Sequence, residues 1–416
     1  MGKYVINGGR KLDGEIKLQS AKNSVLPILA ASILTDEEVV VKNCPKIKDV
    51  YAMLNILSHL GVKYQFYGDD LLVNASDINS YTIPKNLSVE LRSSIFMLGA
   101  LISRFKKARI SFPGGCNIGA RPIDIHLLGL EKLGCFITEL DEELVCSVKN
   151  LVGNDVYLRF PSVGATINIM LASIFAKGKT QIHNAAKEPE IVDLMKFLNK
   201  MGAKVYGAGT STILIEGVKK LHGCEYLPIS DRIECGTYMI AAAITGGKMQ
   251  IYNCNVKNIL FLMHKLVNYS CKISIKSDIM YLTSLESRKS FSFTTGPYPN
   301  FSTDLQAQTM SLLAVSNGQS VVTENVFENR FNHVQQLIKM GANILVKDRS
   351  AFIQGVSALH GADVLAQDLR GGASLVLAGL NAEGKTTIND IHHIERGYCL
   401  MNEKLRSLGA DIIKEE

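Results

Sequence analysis

The chain repeats one pattern six times, and this repetition constrains its fold more than any other feature of the sequence. Each copy is an amphipathic helix that ends in a turn and continues into a strand, as in VDLMKFLNKMGAKV and HVQQLIKMGANI. The turn residue recurs at intervals of 68 to 73 residues, at Gly61, Gly134, Gly202, Ser270, Gly341 and Gly409. Together the copies fill the 416 residues of the chain.

A second repeated segment lies between the copies of the first and consists mostly of small and apolar residues. Two of its copies are VGATINIMLASIF and ECGTYMIAAAITGG, each followed by a strand. Helices with so few charges are buried on nearly all sides. The sequence therefore predicts α/β units in which the apolar helix is buried and the amphipathic helix forms the outer layer.

The last copy lacks a segment that other copies contain. Two middle copies continue after the turn as ILIEGVKKLHG (213–223) and AFIQGVSALHG (351–361), whereas the last copy stops soon after Asp411. A matching segment, YVINGGRKLDG, stands at residues 4–14. We therefore expect the N-terminal strands to complete the C-terminal repeat.

This complementation predicts two closed lobes of three repeats, with a cleft between them. The first lobe would comprise residues 20–229, and the second would comprise residues 230–416 completed by the N-terminal strands of residues 1–19. An open solenoid is the alternative arrangement for a repeat protein. The two closed lobes are favoured, because the ends of a solenoid are polar caps rather than complementary strands.

Composition and charge exclude several functional classes. The 45 lysines and arginines against 39 acidic residues give a net charge of +6, a surplus too small for a nucleic-acid-binding surface. The most apolar stretch, residues 163–176, is shorter than the roughly 18 residues of a membrane span. The nine cysteines form no C-x-x-C pair, so we expect a cytoplasmic protein with reduced, mostly buried thiols and no metal site.

Residues 379–386 match the P-loop pattern G-x-x-x-x-G-K-[ST], but their context is wrong for a nucleotide site. A P-loop follows a strand and opens a helix, whose N–H groups bind phosphate. Here the helical segment SLVLAGL precedes the motif's second glycine and the strand TTINDI follows it. We interpret the motif as the turn of a repeat.

Charged, polar and small residues collect where the predicted helices begin. At the buried helices these are Lys22, Asn23, Arg92, Ser162, Val163, Gly164, Asp231, Asp304, Asp368 and Arg370. At the outer helices they are Lys48, residues 116–121, Glu188, Arg330 and Arg396. A helix N-terminus already carries roughly half a positive charge, so added cations indicate a bound anion. Salt bridges with Asp49, Glu188, Asp231 and Asp368 are the alternative explanation.

The segment FPGGCNIGARP (112–122) is unlike the rest of the chain. Three glycines around Cys116 predict a loop rather than a core strand, and Arg121 adds a positive charge near the thiol. A thiol in such a setting acts as a nucleophile or a proton donor. A cysteine without function in a flexible turn explains these residues equally well.

These motifs resemble the UDP-N-acetylglucosamine 1-carboxyvinyltransferase family of enolpyruvyl transferases. The resemblance runs through AKN (21–23), PGGCNIGARPID (113–124), PSVGAT (161–166), EPEIVD (188–193), DRIECGT (231–237), STDLQAQ (302–308), FENRFNHV (327–334), DLRGGASLVLAG (368–379) and HIERGY (393–398). It implies two inside-out α/β barrel lobes. It also implies transfer of the enolpyruvyl group of phosphoenolpyruvate (PEP) to the 3-hydroxyl of UDP-N-acetylglucosamine (UDP-GlcNAc), as the first committed step of peptidoglycan synthesis, without a metal or organic cofactor.

By matching motif, the resemblance also implies roles for individual residues. Cys116 would donate a proton to PEP and be alkylated by fosfomycin, while Asp304 would accept the proton of the sugar hydroxyl. PEP would be bound by Lys22, Asn23, Arg121, Arg330, Arg370 and Arg396. UDP-GlcNAc would be bound by Arg92, Arg121, Pro122, Ile123, Asp124, Ile125, Ser162, Val163, Gly164, Asp304 and Val326. Lys48, Glu188, Asp231 and Asp368 would support binding or closure.

Other readings stay open on the sequence alone. Asp304 also fits the N-cap of the helix LQAQTMSLLAV. Phe160 stands where the family has a charged residue, with Arg159 one place earlier, which puts one diphosphate contact in doubt. The alternative functions are the related transferase that acts on shikimate 3-phosphate, and a non-catalytic repeat protein that binds nucleotide sugars.

Overall fold

The computed structural model describes residues 2–114, 118–119 and 122–416, which divide into two compact units. One unit, which we call the terminal unit, holds residues 2–18, 118–119 and 230–416. The other, the middle unit, holds residues 19–114 and 122–229.

Two N-terminal strands precede the elements of the middle unit, in which helices and strands alternate. In chain order the elements are β1 (Lys3–Asn7), β2 (Asp13–Lys17), α1 (Lys22–Ser32), β3 (Val39–Val41), α2 (Lys48–His59), β4 (Lys63–Tyr67), β5 (Asp70–Asn74), β6 (Thr82–Ile83), α3 (Lys85–Ser88), a 3₁₀ turn (Arg92–Ile95), α4 (Phe96–Phe105), β7 (Lys107–Ser111), α5 (Asp124–Lys132), β8 (Phe136–Leu140), β9 (Glu143–Ser147), β10 (Asp155–Tyr157), α6 (Val163–Ser173), β11 (Lys179–His183), α7 (Pro189–Lys200), β12 (Lys204–Tyr206), β13 (Thr212–Glu216) and β14 (Cys224–Tyr226).

The rest of the chain belongs to the terminal unit and follows the same scheme. Its elements are α8 (Arg232–Thr245), β15 (Lys248–Tyr252), a 3₁₀ turn (Val256–Asn258), α9 (Leu260–Tyr269), β16 (Cys271–Lys276), β17 (Ile279–Ser284), β18 (Phe293–Thr294), a 3₁₀ turn (Thr303–Leu305), α10 (Gln306–Ala314), β19 (Gln319–Thr323), α11 (Val334–Lys339), β20 (Asn343–Lys347), β21 (Ser350–Gln354), β22 (Asp363–Leu365), α12 (Leu369–Asn381), β23 (Lys385–Asn389), a 3₁₀ turn (Ile391–Arg396), α13 (Met401–Ser407) and β24 (Asp411–Glu415).

The described residues form six four-stranded sheets, and all six share one arrangement. Their strand orders are β14-β3-β5-β4, β6-β7-β9-β8, β10-β11-β13-β12, β2-β15-β17-β16, β18-β19-β21-β20 and β22-β23-β1-β24. In each sheet the first pair is parallel and the other two pairs are antiparallel. The repetition seen in the sequence is therefore a repetition of one sheet topology.

The two N-terminal strands join different sheets, which the sequence did not predict. β1 lies between β23 and β24, whereas β2 pairs with β15, with Asp13 opposite Lys248. The expectation that both strands complete the last repeat is wrong for β2. In four of the other sheets the first strand, which is β6, β10, β18 or β22, precedes the buried helix of the same repeat. The strand before α8 is β14, which pairs with β3 in the middle unit, so β2 takes the equivalent place beside β15.

The predicted buried helices are confirmed as α1, α4 and α6 in the middle unit and α8, α10 and α12 in the terminal unit. Every residue of α10 is buried. In the middle unit, α4 approaches α6 so closely that a Cβ on Gly99 would lie 2.3 Å from the carbonyl oxygen of Asn168. Within the described part of the chain, no helix is both long and apolar enough to cross a membrane.

The predicted turns after the outer helices are also confirmed. All six turn residues have a positive φ, between 92° and 118°. Five are glycines, for which this conformation carries no steric penalty, but Ser270 adopts it with a side chain, at φ 118°. The P-loop-like segment is likewise a turn, because α12 precedes Gly384 and β23 follows it.

Candidate active site

Asp304 lies in the 3₁₀ turn that leads into α10, and it does not cap that helix. The N-cap residue of α10 is Leu305, without a side-chain cap, and Ser302 caps the 3₁₀ turn by accepting the N–H of Asp304 at 3.3 Å. The carbonyl oxygen of Asp304 accepts a hydrogen bond from Nε2 of Gln308 at 2.9 Å. The N-cap reading of Asp304 is therefore wrong, and its carboxylate is available for other contacts.

The carboxylate of Asp304 joins two arginines from distant parts of the terminal unit. Its Oδ1 accepts from Nη2 of Arg330 at 2.8 Å, and its Oδ2 accepts from Nη2 of Arg370 at 3.0 Å. The arginine side chains are only 3% and 5% exposed, whereas that of Asp304 is 26% exposed. Two buried guanidinium groups thus share one carboxylate that stays open to solvent.

Arg330 is held by backbone as well as by charge. Its Nε and Nη2 both donate to the carbonyl oxygen of Thr303 at 3.3 Å, and its guanidinium lies 5.8 Å from the ring of Phe327. Oδ1 of Asp368 lies 3.9 Å from Nη1 of Arg330. These contacts fix the plane of the guanidinium, which determines where its N–H groups point.

Arg370 is the second residue of α12, and the carboxylate of Asp368 caps this helix. Oδ1 of Asp368 accepts the N–H groups of Arg370 and Gly371 at 3.0 and 3.1 Å. The guanidinium of Arg370 lies 5.5 Å from the ring of Tyr398. Burial disfavours the charge of Arg370, but the charge of Asp304, smaller electrostatic contributions of Tyr398 and Asp231, and the hydrogen bond to Asp304 together outweigh burial and raise the pKa of Arg370.

A buried polar network supports this arrangement from the side of α8. The hydroxyl of Tyr398 lies 2.8 Å from Oγ1 of Thr237 and accepts from Nε2 of Gln308 at 3.1 Å. Burial raises the pKa of Tyr398, so the phenol stays protonated. The sequence motif HIERGY was singled out only for Arg396, and the sequence gives no local sign of these partners.

The remaining candidates of the terminal unit lie at helix ends. Oδ1 of Asp231 caps α8 by accepting the N–H groups of Ile233 and Glu234 at 2.7 and 3.0 Å. Arg396 is the last residue of the 3₁₀ turn before α13 and is half-buried. Val326 follows β19, and its N–H donates to Oε1 of Glu324 at 2.8 Å.

In the middle unit, Lys22 opens α1 and is paired with the start of α2. Its Nζ lies 2.6 Å from Oδ2 of Asp49, and both side chains are nearly buried. The ion pair with Asp49 that the sequence suggested for a cation at a helix start is therefore present at Lys22. Asn23 follows Lys22 in α1, and Lys48 is the exposed first residue of α2.

Ser162, Val163 and Gly164 form the start of α6. Ser162 caps the helix by accepting the N–H of Ala165 at 3.3 Å. A Cβ on Gly164 would lie 2.8 Å from Cε1 of His126, so only glycine fits beside that ring. Nδ1 of His126, which lies in α5, is 2.7 Å from Nδ2 of Asn168 in α6. The candidate nucleotide segment is thus closely packed against α5.

The other middle-unit candidates lie around the start of α5 and before α4 and α7. Pro122, Ile123, Asp124 and Ile125 run into α5, and Asp124 forms an ion pair with Arg159. Arg92 donates to the carbonyl oxygen of Pro113 at 3.3 Å. Glu188 is the N-cap residue of α7. Arg159, the cation beside Phe160, is thus bound to another candidate residue.

Two candidates, Cys116 and Arg121, lie outside the described residues. Of the loop between them, Ile118 and Gly119 group with the terminal unit. The carbonyl oxygen of Ile118 accepts the N–H of Asn329 at 3.0 Å. The roles assigned to Cys116 and Arg121 therefore stay predictions from the sequence.

Known proteins match this chain along its whole length. A model of the family described as EPSP synthase (3-phosphoshikimate 1-carboxyvinyltransferase) matches residues 6–405. The chain is 51% identical over 415 residues to UDP-N-acetylglucosamine 1-carboxyvinyltransferase 2 of Caldanaerobacter subterraneus subsp. tengcongensis, with 100% of both chains covered. It is 46% identical over 416 residues to the protein of the same name from Clostridium tetani, again with 100% of both chains covered.

Solved structures share the fold. The enolpyruvyl transferase NikO from Streptomyces tendae superposes with a TM-score of 0.89 at 25% identity, covering 99% of this chain and 98% of that one. EPSP synthase from Acinetobacter baumannii superposes with a TM-score of 0.75 at 17% identity, with 100% of both chains covered. These likenesses confirm the α/β fold of the enolpyruvyl transferase type predicted from the sequence.

Proposed function

This chain belongs to the EPSP synthase family of carboxyvinyltransferases, and we propose that it transfers the enolpyruvyl group of PEP to the 3-hydroxyl of UDP-GlcNAc. The observation that carries this proposal is the identity of 46% and 51%, over complete chains, to relatives named for that reaction. The shikimate 3-phosphate enzyme is a weaker candidate, since it enters through the family description and through a fold shared at 17% identity. The enzyme is a transferase of peptidoglycan synthesis, and its cytoplasmic location stays a prediction.

The reaction needs an acid and a base acting on different atoms. A proton added to C3 of PEP makes C2 electron-poor, and the sugar oxygen then bonds to C2 as its own proton leaves. Loss of a proton from C3 and of phosphate from C2 restores the double bond, so atoms and charge balance. In the proposal Cys116 donates the proton to C3 and Asp304 accepts the proton of the sugar hydroxyl.

The surroundings of Asp304 support its role as the acceptor. Two guanidinium groups donate hydrogen bonds to its carboxylate and fix its orientation, and the side chain is still 26% exposed. A base acts only when it lies within hydrogen-bond reach of the proton it takes. Asp304 therefore meets the requirements of orientation and access that the reaction sets.

Arg330 and Arg370 are proposed to bind the carboxylate of PEP. Each guanidinium carries five N–H donors in a planar fork that matches a carboxylate. The bonds to Asp304 use Nη2 of each arginine, so the forks have further donors to offer. This arrangement would place the carboxylate of PEP next to the base, as an addition at the neighbouring carbon requires.

The other roles are assigned by motif. Lys22, Asn23, Arg121 and Arg396 are proposed to bind PEP, with Lys22, Arg121 and Arg396 at its phosphate. The nucleotide sugar is proposed to contact Arg92, residues 121–125, residues 162–164 and Val326.

Phosphate release from PEP tests the proposal directly. We expect release with UDP-GlcNAc and none with shikimate 3-phosphate. Release with shikimate 3-phosphate alone would assign the chain to the related transferase. Binding of UDP-GlcNAc without release from either mixture would make it a nucleotide-sugar-binding protein.

The role of Cys116 is tested by Cys116→Ser with fosfomycin. We expect the variant to lose most turnover and all labelling, measured by phosphate release and by mass spectrometry of the mapped peptide. Burial raises the pKa of Cys44, Cys135, Cys146 and Cys271 to about 12, so these thiols serve as internal controls that stay unlabelled near neutral pH. Labelling retained in the variant would mean that fosfomycin alkylates another cysteine and that Cys116 is not the proton donor identified by it.

A further inference from the structure

Glu324 is a buried carboxylate beside Asp304 that the sequence motifs did not single out. It follows β19 directly, and it is only 1% exposed. Buried carboxylates persist where several donors compensate for the loss of water. The donors around Glu324 therefore indicate what this side chain holds in place.

Three donors from two separate segments meet on the Glu324 carboxylate. Oε1 accepts the N–H groups of Val326 and Phe327 at 2.8 and 3.1 Å. Oε2 accepts the hydroxyl hydrogen of Thr303 at 2.9 Å. One oxygen thus shapes the loop after β19, and the other binds the 3₁₀ turn that carries Asp304.

Both segments lead to the charged cluster. Thr303 precedes Asp304, and its carbonyl oxygen accepts two N–H groups of Arg330 at 3.3 Å. Phe327 supplies the ring that lies 5.8 Å from the same guanidinium. Glu324 therefore contacts both Thr303 and Phe327, the two residues that position Arg330. Through Thr303 it also positions Asp304, the next residue in the chain.

We propose that Glu324 is a positioning residue for the transfer reaction, which aligns Asp304 and Arg330 by holding Thr303 against the loop of residues 326–327. This inference rests on the proposed function, since it assumes that Asp304 acts on the substrate. Glu324 itself touches neither substrate. Its effect is on alignment, and a misplacement of about 1 Å at a reacting group can lower a rate about a hundredfold.

Two substitutions separate alignment from charge. Glu324→Gln keeps one oxygen for the N–H groups of Val326 and Phe327, and its amide can donate to the hydroxyl of Thr303. Glu324→Ala removes all of these contacts. We expect Glu324→Ala to lower kcat about tenfold to a hundredfold, with a smaller change in the KM for PEP, and Glu324→Gln to stay within about threefold of the unmodified enzyme.

A double-substitution cycle tests whether Glu324 acts through Thr303. Thr303→Val removes the hydroxyl with little change in shape. If the two side chains act as one link, Glu324→Ala combined with Thr303→Val lowers kcat no further than the more damaging single substitution. Additive losses in kcat would contradict the inference, as would a kcat unchanged by Glu324→Ala.

A control for general destabilisation is available in the middle unit. Asp193 is also a buried carboxylate, and it accepts from the hydroxyl of Tyr226 at 2.7 Å and from the N–H of Ile229 at 3.1 Å. We expect Asp193→Asn to lower the melting temperature with kcat per folded molecule unchanged. Glu324→Ala is compared with it at a temperature where both variants are folded.

Hydrogen exchange gives a readout that does not depend on turnover. In the full chain without substrates, Glu324→Ala is expected to increase exchange in peptides covering residues 302–306 and 324–330, while Asp193→Asn leaves them unchanged. Unaltered exchange in Glu324→Ala would overturn the positioning role whatever the substrate is. An unmodified enzyme that releases no phosphate from PEP and UDP-GlcNAc would instead overturn the proposed function, and the exchange result would still decide the role of Glu324.

Discussion

The two units differ in the side chains that stand near the starts of their buried helices. In the terminal unit all three starts carry an aspartate, at Asp231, Asp304 and Asp368. In the middle unit two starts carry cations, Lys22 and Arg92, and the third carries the uncharged Ser162. The backbone scheme is shared, as the identical strand orders of the six described sheets show. The repeated backbone topology therefore does not determine which charge stands at the start of a buried helix.

The partners of these residues are reversed as well. In the terminal unit the buried-helix residue Asp304 is the acid, and one of its cations, Arg330, comes from the segment before the outer helix α11. In the middle unit Lys22 is the cation, and the acid Asp49 is on the outer helix α2. In both cases a charge at a buried helix is neutralised by a residue that leads into an outer one. Pairing of this kind allows charges to stay in largely buried places.

The largest expected effect separates two aspartates of the terminal unit, Asp304 and Asp231, by what they do. Asp304→Ala should lower kcat by about 10²–10⁴, because it removes the proposed base, while the Kd for UDP-GlcNAc changes less than tenfold. Steady-state kinetics and calorimetric titration measure the two quantities. Asp231→Ala, at the equivalent helix start, should mainly remove a cap and cost about 1 kcal/mol of unfolding free energy. A larger loss of binding than of turnover in Asp304→Ala would make Asp304 a binding residue.

A second substitution asks whether Lys22 serves a ligand or only its partner Asp49. Lys22→Met should raise the KM for PEP about tenfold to a hundredfold, the value of one charge-assisted hydrogen bond. Asp49→Asn removes the partner but keeps the cation, so the KM for PEP should change less than about threefold. Both should lower the melting temperature, since each leaves one nearly buried group without its counterpart. Equal changes in the KM for PEP from the two variants would show that the ion pair stabilises the fold and that Lys22 does not bind PEP itself.

The sequence predicted the parts of the fold that local patterns encode. Periodicity identified the buried and outer helices, and the turn chemistry identified the six left-handed turns, including the one at Ser270. Strand β2 was assigned to the wrong sheet, because residues 4–14 match one continuous segment of the middle copies, whereas β1 joins β23 and β24 and β2 joins β15. The similarity of the segments does not reveal that the chain divides between two sheets.

The candidate residues were found as a set, but their mutual contacts were not. Asp304, Arg330 and Arg370 were identified by motif, whereas the hydrogen bonds of Asp304 to both arginines depend on how three segments pack. Glu324 was missed because its neighbours in the sequence do not reveal that it is buried against Thr303. A carboxylate directly after a buried strand is the signal that was available.

The terminal unit also contains a buried histidine, His333, which predicts a pH dependence. Burial lowers the pKa of His333 to about 4, with the nearby charge of Arg330 acting in the same direction and that of Asp368 against it. The unfolded chain binds this proton below about pH 6.5 and the folded chain only below about pH 4. Stability should therefore fall by roughly 3 kcal/mol as the pH decreases through that window. Urea unfolding from pH 7 to 4.5 measures it, and His333→Gln should flatten the curve relative to the unmodified chain.

The smallest expected effect compares the turns of the two units. Ser270 holds a left-handed conformation at φ 118°, where a side chain is disfavoured, whereas Gly134 holds the equivalent turn of the middle unit at φ 94°. Ser270→Gly should raise the unfolding free energy by up to about 1 kcal/mol, because relief of strain exceeds the added freedom of the unfolded chain. Gly134→Ser should lower it by about the same amount, since its nearest atom to a new Cβ, the carbonyl oxygen of Asn150, lies 3.5 Å away and leaves only the backbone strain. Urea unfolding measures the unfolding free energy of both variants. If Ser270→Gly does not raise it and Gly134→Ser does not lower it, the positive φ of this turn carries no energetic cost.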